Sequence, residues 1–132
     1  MFDKHMICDD SLSNLVEGGE VVGFTFQARL PYYRGLGLSM VEELGVTMDG
    51  AAIDRAAVSL SLRGKTWTLD ELETEYVERW NFGEAALVTV RHAGGLTPGV
   101  HTLELAERLR ISYLPFTPTT KAKKELTLAQ AA

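Results

Sequence analysis

The feature that most constrains this chain is a two-residue alternation of apolar and polar side chains, repeated in successive segments with turn residues between them. In V21-V-G-F-T-F-Q-A-R29, Val22, Phe24, Phe26 and Ala28 fall on one side, and Thr25, Gln27 and Arg29 on the other. That period belongs to a strand with one buried face, because successive side chains of an extended chain point to opposite sides. L44-G-V-T-M48 repeats the pattern and runs into Asp49-Gly50, a pair that tolerates positive φ and so commonly reverses a hairpin. V58-S-L-S-L62 is the expected partner strand, and R63-G-K65 then turns the chain into T66-W-T-L69, giving a meander. E84-A-A-L-V-T-V-R-H92 predicts another strand and A93-G-G-L-T-P-G99 a loop. V100 to Y113 predicts a long strand or two collinear ones, with Leu103, Leu105, Leu109, Ile111 and Tyr113 of one parity.

One segment departs from this period. In L69-D-E-L-E-T-E-Y-V-E78, Leu69, Leu72 and Tyr76 recur at spacings of three and four, which predicts a short helix. Strands at this spacing, without long helices between them, point to an all-β fold: an antiparallel β-sandwich or barrel-like jelly roll of about eight strands with one short helical segment. A chain of 132 residues with 45% hydrophobic content is long enough to bury a core as a single domain, expected over residues 1–120. Pro115 and Pro118 interrupt ladder pairing, and K-A-K-K-E-L-T-L-A-Q-A-A offers few large apolar groups, so residues 121–132 are expected to form a loose C-terminal tail.

Charge and composition narrow the function. A net charge of −5, with no basic cluster beyond K121-A-K-K124, argues against nucleic acid, whose phosphates need a basic face. No apolar run approaches the roughly 20 residues that span a bilayer. The first ten residues carry three acids where a secretory signal would carry bases, so no membrane partner and a cytoplasmic location are expected. The single cysteine, Cys8, allows no internal disulfide and is expected simply to be buried.

Candidate chemistry is sparse. His5, His92 and His101 invite a metal, but such sites usually add a carboxylate or thiolate at spacings such as H-x-x-E or C-x-x-C, and none of the three is expected to ligate one. Cys8 lies in an acidic context that raises a thiol pKa, and no G-x-S-x-G elbow is present. Asp9-Asp10 and Glu42-Glu43 could be imagined as acid/base couples, yet adjacent strand residues face opposite sides. The paired glycines of V16-E-G-G-E-V21 and H92-A-G-G-L-T-P-G99 precede no helix that could receive a phosphate, and read as turns. No catalytic residue is expected in this chain.

The remaining stretch is P31-Y-Y-R-G-L-G-L-S39. Two roles fit it on its residues alone. Tyr32 or Tyr33 could fold back over the end of the sandwich with Arg34 capping a carbonyl. Alternatively Tyr32, Tyr33 and Arg34 form an interaction site, since Tyr and Arg are enriched in binding hot spots and Pro31, Gly35 and Gly37 would shape the loop presenting them.

Taken together, G23-F-T-F-Q-A-R-L-P-Y-Y-R-G-L-G-L-S39, V46-T-M-D-G50, W80-N-F-G83, G94-G-L-T-P-G-V-H101 and the R-I-S-Y-L-P run from Arg110 to Pro115 resemble the small, or beta, subunit of bacterial C-glycoside deglycosidases. The resemblance runs from about Phe2 to Pro115 and rests chiefly on P-Y-Y-R-G together with the G-L-x-x-G-x-H and R-x-x-Y-x-P pair. It implies an all-β small subunit of a two-subunit lyase. The implied large partner is a TIM barrel similar to sugar isomerases, holding a divalent metal, with manganese expected. The implied substrate is a 3-oxo-C-glycoside, such as an oxidised C-glucosyl flavonoid. Tyr32, Tyr33 and Arg34 would then face the partner or the rim of its active site. A standalone sugar- or aglycone-binding module, or a purely structural stabilising subunit, are the alternatives.

Overall fold

A computed structural model describes residues 6–30, 35–81, 83–110, 117 and 119–128. Strands β1 (Ser13–Glu17), β2 (Glu20–Ala28), β3 (Leu36–Gly37), β4 (Val41–Met48), β5 (Ala51–Ala52), β6 (Val58–Leu62) and β7 (Lys65–Thr68) lead to helix α1 (Leu69–Leu72). Strands β8 (Arg79–Trp80), β9 (Ala86–Arg91), β10 (Gly99–Leu109) and β11 (Thr119–Leu128) follow. Every pairing is antiparallel. One sheet runs β1-β2-β9-β6-β7, a second β11-β10-β4-β5, and β3 with β8 makes a small ribbon. The fold is the expected antiparallel all-β one, with more and shorter strands than the alternation alone predicts.

A single apolar core draws on both large sheets. Phe24, Phe26 and Ala28 of β2, Leu60 and Leu62 of β6 and Val88 and Val90 of β9 come from the first; Leu44 and Val46 of β4 and Leu103 and Leu105 of β10 come from the second. Burying each of the larger of these side chains, Val, Leu or Phe, contributes about 1.5–3 kcal/mol, which is what holds the alternating faces inward. No helix among the described residues is long and apolar enough to cross a membrane.

Three expectations need correction. The hairpin at Asp49-Gly50 forms, with both residues at positive φ, but its partner is the two-residue β5 and not β6. Asp54 accepts from the backbone N–H of Ala56 and caps a 3-10 turn at Arg55–Ala57. Beyond that turn β6 pairs with β7 and β9 in the first sheet, so the meander is broken between two sheets.

The helix is also shorter than its periodicity suggests. Thr68 and Glu71 form a reciprocal capping box at its start, and Leu69 and Leu72 are buried, but the chain leaves the helix at Glu73 and Tyr76 is 75% exposed. The Glu75 carboxylate turns inward to accept from Trp67 Nε1 and from the N–H groups of Val77 and Glu78, which replaces the next helical turn.

The segment expected as a loose tail contains the ordered strand β11, paired with β10 from Gly99 opposite Leu128 to Arg108 opposite Thr119. Leu126 and Leu128 are buried, Ala122 packs on the core, and Lys124 reaches the Asp9 carboxylate and the Ile7 carbonyl. An edge strand needs few large side chains because its backbone ladder supplies much of the attachment, and lysines guard its open side.

Candidate functional site

Tyr32, Tyr33 and Arg34 lie outside the described residues; what precedes and follows them is well tied. Arg29 donates its N–H to the Met6 carbonyl, and Leu30 is buried. On the other side Arg79 Nη2 donates to the Gly35 carbonyl at 3.1 Å, and Leu36 pairs with Trp80. Trp80 is fully buried, with its indole N–H donating to the Glu84 carbonyl at 2.8 Å. Arg63 binds both the Glu84 carboxylate and the Arg79 carbonyl, so one guanidinium joins the β6–β7 turn, β8 and the entry to β9. Burial works against the charged form of Glu84, but Arg63 and the Asn81 N–H outweigh it and hold its carboxyl below the usual range.

His5 is outside the described residues. His92 lies edge-on to Phe24, with ring centroids 6.2 Å apart. His101 is 8% exposed and meets acceptors at both ring nitrogens: Nδ1 lies 2.6 Å from Asp49 Oδ2 and Nε2 2.6 Å from the Thr97 carbonyl. The Asp49 carboxylate first and the Thr97 carbonyl second raise its pKa, because each favours the doubly protonated ring. Asp49 also accepts from the Thr102 N–H, so β10 is tied to the β4–β5 turn. Across the same loop, Asn14 exchanges two 2.9 Å hydrogen bonds with the backbone of Leu96. A Cβ on Gly95 would fall 2.5 Å from Asn14 Oδ1, so the close approach requires glycine there. The G-G-L-T-P-G-V-H stretch is thus a loop lock.

The chain does hold one H-x-x-E spacing, His101 to Glu104. On a helix it would bring two ligands together. On β10 residues three apart face opposite sides, and His101 points inward while Glu104 is half-buried on the other face. Among the described residues there is no group of three or more His, Cys, Asp or Glu able to hold a metal. Cys8 is buried, and burial, more than its acidic neighbour Asp9, pushes its thiol pKa up.

The residue that sequence reasoning missed is Glu107. It shares the inward parity of Leu103, Leu105 and Leu109, is 0% exposed, and both carboxylate oxygens lack a hydrogen-bond partner among the described residues. Burial raises its pKa well above the ordinary carboxyl value. The signal was available, since the alternation that places the three leucines inward places Glu107 there too.

A profile of the C-glycoside deglycosidase beta subunit family matches residues 2–113. The chain is 36% identical over 131 residues to the 3'-dehydrocarminate deglycosidase beta subunit of a Microbacterium species, covering 98% of this chain and 90% of that one. It is 31% identical over 114 residues to the C-glycoside deglycosidase beta subunit of Eubacterium cellulosolvens, covering 86% and 78%.

Proposed function

Since the chain belongs to the C-glycoside deglycosidase beta subunit family, we propose that it is the non-metal-binding small subunit of a heteromeric lyase that cleaves the C–C glycosidic bond of 3-oxo-C-glycosides. The observation that carries this reading is the match over nearly the whole chain to relatives named as beta subunits of deglycosidases. The 3'-dehydro substrate in the Microbacterium relative's name supports a sugar already oxidised at its 3-position. A ketone there acidifies the neighbouring C2 hydrogen. Once a base removes that proton, the electron pair forms a C1–C2 double bond as the bond from C1 to the aglycone breaks. The aglycone carbon leaves with the bonding pair and takes up a proton.

The base and a divalent metal, proposed as manganese, are assigned to a partner subunit folded as a TIM barrel. One described histidine supports that division: His101 has both nitrogens committed to Asp49 and Thr97. Tyr32, Tyr33 and Arg34 remain proposed contacts to the partner or to the rim of its active site. To test the division, His5, His92 and His101 are each replaced by alanine and the metal content of the assembled complex is measured. Full stoichiometric metal is expected in every variant that assembles; loss of metal from one would place a ligand on this chain.

A further inference from the structure

The turn after α1 presents two adjacent apolar side chains to solvent, Tyr76 at 75% and Val77 at 84% exposure. Single exposed apolar residues are ordinary on protein surfaces. This pair differs because its backbone is fastened on every side. The Glu75 N–H donates to the Leu72 carbonyl, and the Glu75 and Glu78 carbonyls accept from the N–H groups of Ser39 and Leu38, all at 3.1 Å. The Glu75 carboxylate takes the Val77 and Glu78 N–H groups and the indole N–H of the core residue Trp67. With Glu75 turned inward in this way, the two apolar side chains are held outward on a rigid knuckle.

Two further features give the knuckle the form of a contact centre. Tyr76 lines a cleft of about 340 Å³ with Ser39, Glu42, Glu73 and Arg110, so polar and charged side chains border the tyrosine of the pair. The knuckle also leads directly into Arg79, whose guanidinium holds the Gly35 carbonyl, so it lies at the same end of the sandwich as the residues bordering positions 31–34. The run from Asp70 to Glu78 carries five acids and no base. Arg55 binds Asp70, Lys65 binds Glu78, Glu71 is used in the cap and Glu75 is turned inward. Among the described residues Glu73 alone of the five has no such tie, and it lies in the cleft beside Tyr76.

Building on the small-subunit reading, we infer that Tyr76 and Val77 are the anchor by which this chain seats in its large subunit, in an apolar recess of that partner rimmed by basic side chains. Preorganisation matters here because a fastened turn has already lost the conformational freedom that ordering on binding would cost. Tyrosine supplies large rigid area with a polar tip, and Glu73, which has no partner among the described residues, meets the basic rim.

The test uses the full chain and its co-expressed large subunit. The double variant Tyr76→Ala, Val77→Ser is compared with the unaltered chain in subunit affinity and in the thermal melt of the isolated small subunit. A loss of about thirtyfold or more in affinity with an unchanged melt is expected, the scale of a binding hot spot. Affinity within about threefold of the unaltered chain would overturn the inference while leaving the subunit reading intact. A melt lowered as much as a buried truncation lowers it would assign the pair to packing and also overturn the inference. Failure of the unaltered chain to assemble at all would overturn the subunit reading, and the anchor with it.

Discussion

Glu107 occupies a position where its neighbours would select leucine. It pairs with Leu44 on one side and Thr120 on the other, its parity mates on β10 are Leu103, Leu105 and Leu109, and nothing among the described residues explains a carboxyl there. Burying an ionised carboxylate without a partner costs several kcal/mol, so the folded state keeps the proton. In the unfolded chain the same group ionises above about 4.5. Stability therefore falls as pH rises beyond that value, by about 1.4 kcal/mol per pH unit, until the folded carboxyl itself ionises. His101 acts in the same direction: its stabilisation is complete below its ordinary value of 6.5 and is lost as pH rises from there through its raised folded value. Replacing Glu107 with leucine isolates the first effect. Urea unfolding from about pH 5 to pH 8 is expected to show a flatter profile for the variant, whose advantage grows toward the alkaline end by about 1.4 kcal/mol per pH unit for as long as the folded carboxyl of the unaltered chain keeps its proton. A decline as steep as in the unaltered chain would mean the carboxyl is not held protonated by burial.

At the scale of elements, β11 carries the plainest consequence. Deleting the chain from Lys121 onward removes Leu126 and Leu128 from the core, each worth about 1.5–3 kcal/mol, and strips β10 of one neighbour along nearly its whole length. The truncated chain is expected to melt about 5 °C lower or more, and an unchanged melting temperature would show that the strand adds nothing. Alternation made β2, β4, β6, β9 and β10 legible in the sequence because each buries one full face. It did not reveal β1, where Asn14 and Leu15 are only half-buried, or β11, whose residues before Leu126 are small, polar or charged. The two-residue β3 and β8 are too short to show any period. Leu69, Leu72 and Tyr76 predicted a longer helix for a different reason: spacing cannot show that the Glu75 carboxylate will capture the backbone N–H groups beyond it. The candidate site was legible only in outline. His101 was singled out, but its lock with Asp49 and Thr97 depends on two turns meeting across the sheet end.

The whole molecule is a sandwich with two unlike ends. At one, His101, Asp49, Thr97, Asn14 and Leu96 close the loop between β9 and β10. At the other, Arg63, Arg79, Trp80 and Glu84 fasten the chain after positions 31–34, beside the knuckle of Tyr76 and Val77. Charges are committed to ties within the fold in both places. The most direct measurement is cleavage of a 3-oxo-C-glucoside by this chain alone, by its large subunit alone and by the two together. The account predicts no turnover by this chain alone and turnover by the assembled pair; cleavage by the isolated chain at a rate comparable to the complex would contradict it.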